Sequence, residues 1–102
     1  MTKSQLIENI SLRVPHLLQR DVEMAIHIII DAMTHHLAQG ERIEFRGFGG
    51  FFVIQRAARI GRNPKTGEQV SLPIRYTTHF KPGLNLRERV YLSRNLFPLI
   101  ND

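Results

Sequence analysis

Apolar residues recur at helical spacing through the first forty positions and at every second position in much of the remaining chain. Thr2-Lys3-Ser4-Gln5 has the form of a capping box, in which hydroxyl and side-chain amide satisfy each other's free backbone N–H, so a first helix opens here. Leu6, Ile7 and Ile10 fall on its inner side. Pro15 ends it at or before Val14, because the residue ahead of a proline is pushed out of the helical region. A second helix is expected from about Asp21, a suitable N-cap, to Gln39, with Gly40 stopping it. Val22, Ala25, Ile26, Ile29, Met33 and Leu37 form its buried stripe, yet Met24, Ile28 and Ile30 are apolar as well. A helix that is apolar on more than one face needs two neighbours. One short helix supplies only one of them, so part of this surface is expected to pack on another copy or a related subunit.

From Glu41 the period becomes two, with Ile43 and Phe45 on one side and Arg42, Glu44 and Arg46 on the other. Gly47-Phe48-Gly49-Gly50 turns the chain into a second strand running from Phe51 towards Gln55. Residues 55–75 hold no large aromatic side chain and cannot build a core. Arg56, Ala58, Ile60 and Arg62 lead out in alternation, and Val70, Leu72, Ile74 and Tyr76 lead back. Between them Asn63-Pro64-Lys65-Thr66-Gly67 reads as a hairpin tip, with Lys65-Thr66-Gly67 as the loop and Gly67 left-handed. The segment is expected to be a protruding two-stranded ribbon, marginal alone and fully ordered on a ligand. A third strand comes next near Tyr76–Phe80, Lys81-Pro82-Gly83 turns, and a last helix runs from about Leu84 to Arg94 before Pro98. Leu96, Phe97, Leu99 and Ile100 make the tail apolar.

These elements divide the 102 residues into a helical dimerisation base (1–40), a saddle and last helix (41–54 and 76–94), a ribbon arm (55–75) and an extension (95–102). The class is α+β, and the chain is long enough for one domain but marginal for a self-sufficient core. No cysteine is present, which excludes a disulfide framework and thiolate metal sites. No apolar run approaches a membrane span or a signal peptide, so the expectation is a cytoplasmic chain with no membrane partner.

The formal charge is +5, and it is unevenly placed. Residues 1–41 carry three basic and five acidic side chains, while residues 42–89 carry ten basic and three acidic, or +7. The basic half is suited to a polyanion. Its ribbon can be read as a charged, solvated loop or as a nucleic-acid arm. Two features favour the arm: its basic side chains are almost all arginine, which forks onto phosphate and fits narrow grooves, and a proline at the tip could wedge into a base step. The Arg42/Glu44/Arg46 face is either self-paired or functional, the latter with Glu44 orienting Arg46.

His27, Asp31 and His35 lie at i+4 steps and can be read as a metal stripe or as the polar edge of an apolar helix; without Cys or a second cluster the polar edge is preferred. Gly61–Gly67 lacks the glycine before Lys65-Thr66 that a phosphate loop requires, and no helix follows Gly47-Phe48-Gly49-Gly50 as a dinucleotide loop requires. No cofactor, small-molecule substrate or enzymatic activity is expected.

Five stretches together resemble the HU/integration host factor family of bacterial DNA-bending proteins, and most of all its beta-type subunits. They are Met1-Thr2-Lys3-Ser4, Leu37-Ala38-Gln39-Gly40-Glu41-Arg42-Ile43-Glu44, Arg46-Gly47-Phe48-Gly49, Gly61-Arg62-Asn63-Pro64-Lys65-Thr66-Gly67 and His79-Phe80-Lys81-Pro82-Gly83, in one register from residue 1 to about 91. The resemblance implies an intertwined dimer whose two arms wrap double-stranded DNA through the minor groove, with roles in recombination, replication and transcription. By carry-over Pro64 is the wedge, Arg62, Asn63 and Lys65 lie beside it, Arg59 and Arg75 belong to the arm's contacts, and Arg46 with Glu44 gives sequence preference. Thr2, Lys3, Ser4, Arg42, Lys81 and Arg87 would hold phosphates. The implied partner is an alpha-type subunit, with a homodimer, acting as an HU-like nonspecific nucleoid protein, as the alternative. Ala58, Ile60, Pro73 and Leu84 depart from the family pattern.

Overall fold

The computed structural model describes residues 1–97; the expected stop at Pro98 and the apolar Leu99 and Ile100 lie outside the described residues. Helix α1 spans Lys3–Arg13 and opens on the expected box, with Thr2 Oγ1 accepting from the Gln5 N–H at 3.2 Å and Gln5 Oε1 accepting from the Thr2 N–H at 2.9 Å. Helix α2 spans Gln19–Ala38 and starts earlier than the sequence suggests. Leu18 carbonyl accepts from the N–H groups of Asp21 and Val22, so Leu18 is the N-cap and Asp21 lies in the first turn. There its carboxylate still favours the positive helix end without capping it. At the other end the Gly40 N–H donates to Leu37 and the Glu41 N–H to His36, a Schellman closure that needs the left-handed conformation Gly40 adopts at φ 78°.

Strands β1 (Ile43–Phe45), β2 (Gly49–Arg56) and β5 (Arg75–Pro82) form one antiparallel sheet in the order β1-β2-β5. β5 is longer than the sequence suggests: it pairs with all of β2, from Gly49↔Pro82 to Arg56↔Arg75, so Lys81 and Pro82 belong to the strand and Gly83 alone makes the corner. The Gly83 N–H donates to the Phe48 carbonyl at 2.8 Å, tying the start of helix α3 (Leu84–Leu92) to the β1–β2 turn. α3 is shorter than expected, because Ser93 caps it and residues 93–97 continue as turns. The ribbon is interrupted too. Strands β3 (Arg59–Arg62) and β4 (Gln69–Leu72) form a separate two-stranded ladder, with Ala57-Ala58 and Pro73-Ile74 unpaired between the two sheets. Pro73 has no N–H to offer the ladder, so it cannot continue through this point.

Among the described residues only Ile7, Val22 and Ile26 form a buried core, with Ile10 and Val14 packed against them. Of the expected stripe Ile29 is instead 55% exposed, and Met24 and Ile28 are about as open on the neighbouring faces. A buried aliphatic side chain contributes about 1.5–3 kcal/mol, and three cannot offset about 1–2 kcal/mol of backbone entropy for each ordered residue. The chain exposes 9291 Å², where a compact monomer of 11.8 kDa exposes about 5,900 Å². Its radius of gyration is 19.2 Å, against about 13 Å for a compact chain of this length.

Ile26→Ala is expected to cost about 2–5 kcal/mol in urea unfolding, as a cavity in the small core. Ile28→Ala tests the open face: a lone chain would change by less than about 0.5 kcal/mol at so exposed a site. Measured on the chain together with the subunit it pairs with, the expected outcome is a cost above about 1.5 kcal/mol and an unfolding midpoint that rises with protein concentration.

Candidate nucleic-acid interface

In an antiparallel ladder opposed residues share a face and successive residues alternate. Phe51↔Phe80 and Ile43 therefore lie on one face, where the rings of Phe45, Phe48, Phe80 and Phe51 succeed one another at centroid distances of 6.5, 5.4 and 4.7 Å. The opposite face carries Glu44, Gly50, Lys81, Phe52, His79, Arg56 and Arg75. An open hollow of about 650 Å³ on this side is lined by Arg42, Glu44, Arg46, Phe52, Lys81 and Arg87. Five residues singled out from the sequence thus converge, supplied by the lead into β1, by β1 itself, by the turn after it, by the end of β5 and by α3.

The carboxylate among them has a different partner from the one expected. Glu44 Oε1 accepts from Arg42 Nη2 at 2.7 Å, not from Arg46. Residues 42 and 44 stand side by side on the same face, whereas Arg46 has left the strand for the Arg46–Phe48 turn. Both partners are more than 60% exposed, so the pair contributes about 0.2–1 kcal/mol. Arg42 is also 5.6 Å from the Phe52 ring centroid.

The tip of the arm is closely built. The Asn63 N–H donates to Glu68 carbonyl at 2.8 Å and Asn63 carbonyl accepts from the Gly67 N–H at 2.7 Å. Asn63 Oδ1 accepts from the Lys65 N–H, Thr66 Oγ1 from the Glu68 N–H, and Arg62 Nη1 donates to Gly67 carbonyl. Gly67 is left-handed as expected, with φ 74°. The turn itself occupies Pro64–Thr66, one residue earlier than expected, since the proline ring presets φ for the first turn position. Pro64 and Lys65 are exposed at its outermost point.

Among the described residues none of Arg56, Arg59, Arg62, Lys65 and Arg75 makes an ion pair. Arg56 was not among the residues expected to act, although its alternation with Phe52 and Ile54 put it on this face once the pairing of β2 is known. Phe52 and His79, with rings 5.2 Å apart, were missed for the same reason. Thr2, Lys3 and Ser4 stand apart from the hollow at the start of α1. There Thr2 is committed to the cap, and Lys3 Nζ donates to His27 Nδ1 at 3.2 Å. His27 also faces Glu23, while His35 meets Gln39, so the two histidines of the stripe have separate partners. Among the described residues no group of three His, Asp or Glu is arranged around a metal position.

A basic sheet face with a basic ribbon beyond it suits a polyanion, and the family and relatives that the chain matches are architectural DNA-binding proteins rather than enzymes. The chain belongs to the family described as Bacterial DNA-binding protein, whose model matches residues 1–91. It is 57% identical over 99 residues to integration host factor subunit beta of Halorhodospira halophila, covering 97% of each chain. The same subunit of Methylococcus capsulatus is 58% identical over 90 residues, covering 88% of this chain and 95% of that one. Among solved structures an Anabaena HU–DNA cocrystal matches with a TM-score of 0.80 at 27% identity, covering 88% of this chain and 97% of that one. HU from Thermotoga maritima matches with a TM-score of 0.61 at 27% identity, covering 88% of this chain and 98% of that one. The beta-type likeness read from the sequence therefore stands. No helix among the described residues is long and apolar enough to cross a membrane.

Binding should be governed by counterion release, which weakens affinity as salt rises. Lys81→Gln is expected to reduce the slope of log K against log salt by about 0.9, equally for unrelated duplex sequences. A fluorescence-anisotropy salt series measures it.

Proposed function

We propose that the protein bends double-stranded DNA as one half of a dimer, its arm following the minor groove and Pro64 entering a base step. The carrying observation is Pro64 at the first position of a turn braced on both sides by Asn63, Thr66 and Gly67. A wedge must be stiff and apolar to unstack bases, and this one is held out by its own hydrogen bonds. Arg62, Asn63 and Lys65 would lie in the groove beside it. Arg59 and Arg75 would take backbone phosphates along the arm, and Arg42, Lys81 and Arg87 would take them on the flank. Lys3 and Ser4 would add the free N–H groups and positive end of α1, with Thr2 fixing that end. Unstacking costs a few kcal/mol per step and is offset by contacts that only a bent duplex makes. The kink of about 20–90° per inserted wedge is a property of minor-groove architectural proteins, HU and integration host factor among them, and is carried over from that class.

Residues 1–40 would form the dimerisation base, 41–54 and 76–94 the saddle and last helix, and 55–75 the arm. The open apolar face of α2 supports a partner, and the relatives' beta-subunit names support an alpha-type one. The protein would act in the nucleoid, in recombination, replication and transcription, with some sequence preference from Arg46. An HU-like, sequence-tolerant homodimer is the second reading. It is favoured by the Glu44–Arg42 contact, which leaves Arg46 without the carboxylate that would aim it.

On a duplex labelled at both ends, the protein should shorten the end-to-end distance measured by energy transfer, and Pro64→Ala should restore most of it. An unchanged bend would sink the wedge mechanism. Competition with excess unrelated duplex separates the two readings: a surviving site-selective complex is the expected result, and its loss identifies the HU-like protein. Light scattering of the chain alone and with an alpha-type subunit should give the larger stable species only in the mixture.

A further inference from the structure

The root of the arm is a second basic site, distinct from both the tip and the flank hollow. The β2–β5 ladder ends on Arg56↔Arg75, two like charges placed directly opposite each other on one face. Such a pair is unfavourable in a sheet unless something neutralises it. The next ladder begins on Arg59↔Leu72, and the four residues between the two ladders, Ala57, Ala58, Pro73 and Ile74, are unpaired. Arg56, Arg59 and Arg75 nevertheless line a single hollow of about 430 Å³, whose remaining wall is Ala57, Ala58, Leu72 and Pro73. Among the described residues no carboxylate pairs with any of the three arginines. Three arginines therefore border one small, otherwise apolar space at the place where backbone pairing fails, within reach of a single shared anion.

We infer that this hollow is a phosphate-oxyanion site, and that its occupant sets how firmly the arm is held to the saddle. Guanidinium groups match phosphate oxygens with paired, charge-assisted hydrogen bonds. One phosphate held by Arg56 and Arg75 from the saddle ladder and by Arg59 from the arm ladder would bridge the break. It would replace the missing backbone bonds and remove the Arg56–Arg75 repulsion together. Without it, the small residues Ala57 and Ala58 leave a joint that can turn. The phosphate can come from the duplex backbone or from a free pyrophosphate-type anion. The first source rests on the DNA-bending reading and the second does not.

Inorganic pyrophosphate, titrated into the DNA-free protein at constant ionic strength and followed by amide NMR, tests the site. The expected result is saturable shifts at Ala57, Ala58 and Ile74, one anion per chain, with a rising heteronuclear NOE at Lys65 and Gly67. Arg59→Gln and Arg75→Gln should each weaken binding at least tenfold, while Arg62→Gln, which removes a tip charge outside the hollow, should change it less than twofold. Shifts that grow without saturating, or an equal loss in Arg62→Gln, would overturn the proposal, because they describe a diffuse ion atmosphere. A second titration into the DNA complex distinguishes the sources. Competition assigns the hollow to a backbone phosphate, and unaltered binding assigns it to the free anion. Because the first titration contains no DNA, a failed wedge experiment and a failed anion site are separate outcomes.

Discussion

The eight-residue pairing of β2 with β5 is the constraint on which the rest of this structure depends. It makes one face of the sheet aromatic and the other basic, because opposed residues share a side and neighbours alternate. Its near end delivers Gly83 against Phe48 and so places Arg87 of α3 beside Lys81 and Arg42. Its far end carries Arg56 and Arg75 to the root of the arm. A slip of one residue would exchange the two faces, sending Phe80 to the basic side and Lys81 among the aromatic rings.

The second shaping fact is a shortage of core. Among the described residues, three buried aliphatic side chains and an open apolar helix face leave the chain with little core of its own. Charge obeys the same division. The helical part is slightly acidic and carries the apolar surface, while the sheet, arm and last helix carry a large positive excess with few internal partners. Unpaired arginines on an exposed ribbon repel one another, a repulsion that a polyanion would relieve.

Much of the fold was legible in residue order. The capping box at Thr2–Gln5, the stop at Gly40, the change of period after Glu41 and the left-handed Gly67 all arise from local chemistry, and each appears in place. Less legible were features set by how a neighbouring turn or the opposite strand places the chain. Asp21 looked like a cap, but the preceding turn at Pro15–Leu17 brings the chain into helical geometry before it. The arm read as one ribbon, because alternation continues through Ala58 and Ile74 even though Pro73 breaks the ladder opposite them. Glu44 is read as orienting Arg46 because a carboxylate on a phosphate-facing strand needs a cation to aim, yet the turn after Phe45 carries Arg46 away and Arg42 takes its place.

By itself, then, the sequence determined the kind and order of most elements, the basic half and a proline at a hairpin tip, since periodicity, turn chemistry and charge are local properties of the chain. Only the tertiary structure decided which cations meet. Register between β2 and β5 put Arg56 against Arg75 and Lys81 beside Arg42 and Arg87. Register is a long-range choice, fixed by which whole faces are buried together, and no single stretch of residues contains it.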